Sequence, residues 1–317
     1  MLNINLHHME DITFYMQKLV ERINKLKQEK KAVILAHCYQ PVEIDLVADY
    51  VGDSLYLSQV ASKTDAEIIV FAGVSFMAQT AKILSPTKKV LLPQKDAGCE
   101  MADMINYKQV LEFKAKHPDI PVVCYVNSTA EVKSECDLCC TSSNAVQVVK
   151  SLKAEKILFL PDQHLGKWVE KQLGNLEVIT YPGCCPIHEQ ISPEEIANIR
   201  SKYPEALVLV HPECEMSVSL MADYVGSTAG IMNFVKNSDN SSFVIVTEKG
   251  VVDRLERDYP EKEFIPIRDN LVCPSMKMTT LEDILNVLEN ETNEIVVDKE
   301  IAKKAVKCID RMLEASK

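Results

Sequence analysis

The pentapeptide ADYVG occurs at residues 48–52 and again at 222–226, 174 positions apart. Internal repetition restricts the fold more than any single motif can, because each copy must build a unit that packs on its siblings. The surroundings of the two copies match. A histidine stands 11 residues before each copy (His37, His211), and a hydroxyl residue follows each histidine by 17 (Ser54, Thr228). Halving the spacing predicts a third copy between them. Tyr125 follows His37 by 88 residues, and Ser142 follows Tyr125 by 17. The middle copy keeps the offsets while its letters drift to CDLCCTSS.

Strand-like segments repeat with the same period. AVILAH, PVVCYVN and ALVLVH are apolar runs ending in polar residues; EIIVFAG, KILFLPD and SFVIVTE come next, then KVLLPQ, LEVITYP and EFIPIR. Helical patterns lie between them: SFMAQTAKIL, HLGKWVEKQL and VVDRLERDY. Continuous apolar strands alternating with amphipathic helices predict parallel sheets covered on both faces. Another helix precedes each first strand, in DITFYMQKLVERINKLKQ, YKQVLEFKAK and SPEEIANIRSK; a fourth copy, TLEDILNVLEN, follows the third repeat. The repeats divide at 31–118, 119–204 and 205–291, with a packing helix in 1–30 and a closing helix in 292–317. Only nine glycines and no Gly/Ser linker occur, which favours tight packing of the units.

A formal net charge of −11 makes nucleic acid or an anionic membrane surface a poor default partner. No apolar run has the length to span a bilayer. The N-terminal segment carries early acidic residues and no secretory core, so a cytoplasmic chain is expected. In that compartment eleven cysteines, an odd number, speak for metal binding or catalysis rather than disulfides. Cys124 and Cys308 sit in apolar contexts and read as small buried hydrophobes.

Three cysteines fall in register at the ends of the third strands: Cys99 in DAGCEMAD, Cys185 in PGCCPIHE and Cys273 in LVCPSMKM, separated by 86 and 88 residues. Ligands of parallel α/β units gather outside the carboxyl ends of strands, so a threefold arrangement brings three thiols to one point. The expected architecture is therefore α/β, with three pseudo-threefold-related αβα sandwich domains and parallel sheets around a central metal site. Zinc would take a fourth ligand, for which His188 and His211 are candidates. A [4Fe–4S] cluster held by only three cysteines keeps one iron open as a Lewis acid. Cys184 is a rival to Cys185, but only Cys185 continues as C-P-I-H. Cys136, Cys139 and Cys140 form C-x-x-C-C, a weak zinc signal because no second C-x-x-C pair accompanies it.

Ser54, Ser142 and Thr228 each open a helical pattern. Such hydroxyls are ordinarily plain N-caps. Three in threefold register point instead to carboxylate or phosphate binding, since helix starts present free N–H groups and positive dipole ends. The strand ends add His37 and Tyr39, Tyr125 and Asn127, and His211 and Glu213, of which His, Tyr and Glu can move protons.

These residues resemble the quinolinate synthases, iron–sulfur enzymes of NAD biosynthesis. The likeness runs through AHCYQPVE, ADYVGDSLYL, GVSFMAQTAKILSP, AGCEMAD, YVNSTAEVKSECDLCCTSSNAV, FLPDQHLG, PGCCPIHE, HPECEMSV, GSTAGI and CPSM, covering nearly the whole chain. The resemblance implies condensation of iminoaspartate with dihydroxyacetone phosphate, releasing phosphate and water. It implies a [4Fe–4S] cluster with three Cys ligands, at Cys99, Cys185 and Cys273. Its substrate-binding positions match His37, Ser54, Tyr125, Val126, Asn127, Ser142, His188, His211, Pro212, Glu213 and Thr228. Tyr39, Glu213 and His211 are the candidates for proton transfer, and an upstream aspartate-oxidising enzyme is the candidate protein partner. Two departures stand out: Cys38 occupies a position often aromatic in the family, and Ile267 and Asn270 replace the cysteines that give some relatives a disulfide switch beside Cys273. Other three-cysteine [4Fe–4S] dehydratases, a zinc enzyme on the same scaffold and an iron–sulfur sensor or carrier are the competing readings.

Overall fold

The computed structural model describes residues 6–317, with side chains from residue 14 onward. Among the described residues, twelve strands form three four-stranded sheets, and every strand pair is parallel. The first sheet contains β1 (Ala32–His37), β2 (Tyr50–Gly52), β3 (Ile68–Ala72) and β4 (Lys89–Leu91). The second contains β5 (Val122–Tyr125), β6 (Leu138–Cys140), β7 (Lys156–Leu160) and β8 (Glu177–Thr180). The third contains β9 (Leu207–Val210), β10 (Tyr224–Val225), β11 (Ser242–Val246) and β12 (Glu263–Pro266). In each sheet the second strand lies at the edge, beside the first, and the third and fourth follow on the other side.

The edge strands were missing from the pattern of three strands per repeat. ADYVG supplies β2 and β10, and the drifted middle copy supplies β6. These segments are two or three residues long, too short for a period-2 pattern to stand out. Their aspartates tie them to the sheet: Asp49, Asp137 and Asp223 each accept a hydrogen bond, at 2.7–2.8 Å, from the backbone N–H of Ile34, Val122 and Val208 respectively. The repeated pentapeptide is thus an edge strand with its own side-chain clasp.

Both faces of each sheet are buried, which explains the continuous apolar runs. In the third sheet, Val208, Val210, Val244 and Val246 pack on one side, while Leu209, Phe243 and Ile245 pack on the other. In the first, Ile34 and Val70 face outward onto Leu19, Ile23 and Leu26 of the helix Leu6–Glu29, and Leu35 and Phe71 join the core shared with the second sheet. The helix Leu281–Asn290, read as the tail of the third repeat, packs instead on the first sheet through Ile284, Val287 and Leu288. The closing helix, Lys299–Ala315, packs on the second through Ala305, Cys308, Ile309 and Met312. The chain ends therefore bind the repeats to one another. No described helix is long and apolar enough to cross a membrane.

Candidate active site

The carboxyl ends of the three sheets face one cleft. The first repeat contributes His37, Tyr39, Ser54 and Cys99 to its wall. The second contributes Tyr125, Asn127, Ser142, Cys185 and His188, and the third His211, Glu213, Thr228 and Cys273. Val126 and Pro212 are buried between lining residues and do not themselves line the cleft. Cys185 lines it and Cys184 does not. Cys38 is fully enclosed beneath the wall, and burial pushes its thiol above the ordinary value.

The three helix starts converge. The Ser143 hydroxyl donates to Asp53 and lies 2.8 Å from the Ser227 hydroxyl, so residues 90 and 84 positions apart meet on one axis. The caps are the neighbours of the predicted hydroxyls. Asp53 accepts from Tyr56 N–H, and Ser227 from Gly230 N–H. Ser54 and Thr228 are the first helical residues, and Ser142 lies in the turn before the helix Ala145–Ser151. Beside Ser54 and Thr228 the plain capping role is thus filled by other residues, and the helix after Ser142 has no side-chain cap; all three hydroxyl residues stand on the cleft wall.

A chain of polar contacts crosses all three repeats. Thr228 Oγ1 donates to Tyr39 Oη at 3.1 Å, and Tyr39 Oη lies 3.0 Å from Thr247 Oγ1. Thr247 Oγ1 is 2.9 Å from His188 Nε2. His188 Nδ1 contacts Glu213 Oε2 at 2.7 Å, bent away from a linear hydrogen bond. The other Glu213 oxygen accepts from Tyr125 Oη at 2.6 Å. His211 stacks on His188 with ring centroids 4.7 Å apart.

Burial governs the electrostatics. It holds the imidazoles of His37 and His211 at about 3, so both are neutral near pH 7. For Glu213 burial acts the other way, yet contacts from His211, His188 and the Tyr125 hydroxyl outweigh it and keep the carboxyl below its ordinary range. Burial and the Glu213 charge raise the phenols of Tyr39 and Tyr125 well above the ordinary value. Cys99 is pushed up to about 12, and Cys185 and Cys273 also upward, chiefly by burial. Thiols in such surroundings ionise only with a metal to receive them.

Several supports escaped sequence reasoning. Thr247 closes the polar chain, Glu248 accepts from the Cys273 N–H at 3.3 Å, and Lys277 binds the Tyr39 carbonyl. The polar pair TE at the end of β11 was the available signal for the first two. Gly183 is required by close approach: a Cβ there would lie 2.5 Å from the Pro161 carbonyl oxygen. Only glycine lets the Cys184–Cys185 segment close against the end of β7.

The described residues hold two further groups with metal-ligand chemistry. Cys185, His188 and Glu213 place one ligand atom each within 4.8 Å of one another in the cleft. Cys124, Cys139 and Cys308 do so outside it, in the core of the second repeat.

Known proteins place this arrangement. Residues 21–314 match the family described as "Quinolinate synthetase A protein". The chain is 51% identical to the quinolinate synthase of Alkaliphilus metalliredigens over 296 residues, covering 93% of this chain and 98% of that protein. It is 50% identical over 299 residues to the quinolinate synthase of Dehalococcoides mccartyi strain CBDB1, covering 94% and 99%. It is 48% identical over 305 residues to that of Aquifex aeolicus, covering 95% of each. With its threefold sheets, its shared cleft and matches that run nearly end to end, the chain belongs to the quinolinate synthase family.

Proposed function

We propose that the cleft condenses iminoaspartate with dihydroxyacetone phosphate to quinolinate, releasing phosphate and water, and that Cys99, Cys185 and Cys273 hold a [4Fe–4S] cluster there. The observation that carries this is the meeting of three register-matched cysteines and three hydroxyl-bearing helix starts in one cleft. The donor set fits the group. Each cysteine comes from a different repeat and borders open volume, as thiolates bound to three separate irons must. The Cys124, Cys139 and Cys308 thiols sit in solid core, with residues 0% exposed and two sulfurs 3.7 Å apart, which leaves no room for four irons and four sulfides. When bound, the cluster supplies an iron with an open position that acts as a Lewis acid.

The chain's own groups suit doubly anionic reactants. Among the described lining residues there is no lysine or arginine. Carboxylate and phosphate binding therefore falls to Ser54, Ser142, Thr228 and the N–H groups of their helix starts. The Asn127 Oδ1 atom is buried without a partner and is available to a substrate N–H or O–H. Neutral His37 and His211 serve as hydrogen-bonding groups rather than cations. Glu213, ionised and held by Tyr125, is the base for C–H or N–H deprotonation, and Tyr39, joined to Thr247 and Thr228, returns protons to departing oxygens. An aspartate-oxidising enzyme is the expected source of the imine.

A second reading rests on the closeness of Cys185, His188 and Glu213, a ligand set suited to a single zinc ion. Anaerobic incubation of the iron–sulfur-loaded chain with both substrates tests the proposal, with quinolinate followed by chromatography. Quinolinate should accumulate over many turnovers. Folded, cluster-loaded protein that forms none would overturn the proposed activity, and activity with zinc but no sulfide would favour the second reading.

A further inference from the structure

Cys136 and Cys139 form a C-x-x-C pair that lacked a partner pair in the sequence. The fold supplies two more thiols. Cys124 and Cys139 are direct neighbours on β5 and β6, with sulfurs 3.7 Å apart. Cys308 comes from the closing helix 175 residues beyond Lys133, and its sulfur lies within 4.8 Å of both. Cys136 follows the short helix Ala130–Lys133 and packs against the same core. A tetrahedral zinc–thiolate site with bonds of about 2.3 Å sets its sulfurs about 3.8 Å apart; Cys124 and Cys139 already have that spacing, while the Cys136 thiol, which donates to the Val132 carbonyl at 3.1 Å, has to turn to join them.

The charge balance of the same region supplies an independent observation. Lys133 is 0% exposed, yet among the described residues its ammonium pairs with no carboxylate. It donates to the Ser128 carbonyl and lies 5.3 Å from the Phe76 ring centroid. A buried cation needs a counter-charge. The thiol cluster lies against the same turn, where the Cys308 thiol donates to the Lys133 carbonyl at 3.3 Å. Deprotonated sulfur would be the missing anion.

We propose that Cys124, Cys136, Cys139 and Cys308 form a second, structural metal site that binds one zinc ion as a tetrathiolate. The four thiolates bind Zn²⁺ and their four protons pass to solvent, giving a centre of charge −2 that the Lys133 ammonium partly offsets. Nothing is oxidised or reduced. Cys136 is the partly exposed member and marks the route of entry, while the other three are sealed. The ion would pin the helix Lys299–Ala315 to the edge strand β6. This site is separate from the catalytic cleft, so its failure and the failure of the proposed activity are distinguishable.

The test uses full-length, cluster-loaded protein prepared anaerobically, incubated with Zn²⁺ and desalted. Elemental analysis should find about one zinc per chain in addition to iron. Co²⁺ in its place should give the intense near-ultraviolet and visible bands of thiolate-bound tetrahedral cobalt. Cys308→Ser and, separately, the partly exposed Cys136→Ser should lower retained zinc at least tenfold under chelator challenge, with iron and sulfide content unchanged. Wild-type protein that retains no zinc and gives no thiolate–cobalt bands would overturn the proposal, with no variant needed. So would zinc retained equally by both variants, or loss of iron in Cys308→Ser, which would place the cluster here instead.

Discussion

Arg254 offers a sharp test of how the third repeat holds the active-site segment of the first. Its side chain is 1% exposed and reaches across the repeat boundary. It donates to the carbonyl oxygens of Cys38 at 2.7 Å and Gln40 at 2.9 Å, on either side of Tyr39, and pairs with Asp45 at 2.6 Å. Arg257 pairs with the other oxygen of Asp45, also at 2.6 Å, but is 48% exposed. Arg254→Met keeps most of the apolar stem and leaves two buried carbonyls without their donor. Hydrogen bonds from a charged donor contribute about 1.5–3 kcal/mol each, and removing one partner of a buried pair costs about 3–5 kcal/mol. These contributions overlap, so a loss of about 4 kcal/mol is expected. Arg257→Met, whose ion pair is exposed, should cost less than about 1 kcal/mol. Urea unfolding of both variants beside the parent protein measures the difference. Equal losses, or a loss below about 1 kcal/mol for Arg254→Met, would refute the clasp. Quinolinate formation should also drop further in Arg254→Met, because Tyr39 lies between the released carbonyls.

Three further outcomes follow from the site. Ser54→Ala and Thr228→Val should weaken substrate saturation with little loss of stability, whereas Asp53→Ala and Ser227→Ala, which remove caps, should each cost about 1 kcal/mol; KM and urea midpoints for the four variants separate the roles, and a reversed pattern would return Ser54 and Thr228 to plain helix-start residues. His37 and His211 have folded values near 3 against an ordinary 6.5, so between those limits the unfolded chain binds protons that the folded chain refuses. Stability should therefore fall as pH drops below about 6.5, by up to about 1.4 kcal/mol per pH unit for each imidazole. A His211→Gln variant should show a shallower slope from pH 7 to 5, and an unchanged slope would rule out the neutral buried imidazole. Gly183→Ala should displace the Cys185 segment and reduce bound iron, while Gly174→Ala, strained by its φ of 69° but outside the cleft wall, should cost stability and leave iron content intact.

Much of the architecture is visible in the letters because it is written three times. His37 and Tyr125 end equivalent strands and His211 directly follows the third, and the offsets to Ser54, Ser142 and Thr228 survive where identities do not. Repetition lets weak positional signals reinforce one another. The C-P-I-H continuation separates Cys185 from Cys184, and Cys185 is the one that lines the cleft. What escaped notice lacks a repeat. Arg254 and Lys277 act once, across a boundary that only tertiary packing creates. The edge strands are too short for periodicity to mark them, although ADYVG itself repeats. The helix Leu281–Asn290 was assigned to the repeat it follows, but its Ile284 and Val287 cover the first sheet. Amphipathic periodicity gives the face a helix buries, not the partner it buries it against. Cys308 shows the same limit: its apolar setting was plain, while its approach to Cys124 and Cys139 depends on where the closing helix docks.

The central claim is that one thiol from each repeat holds the iron–sulfur centre of the cleft. Iron and acid-labile sulfide measured in anaerobically purified Cys99→Ser, Cys185→Ser and Cys273→Ser tests it most directly, with Cys184→Ser as the neighbour control. Each of the three should lose the cluster's visible absorbance and at least half of its iron and sulfide, along with quinolinate formation, while Cys184→Ser keeps all of them. Full iron and sulfide in any of the three, or their loss in Cys184→Ser instead of Cys185→Ser, would contradict the account.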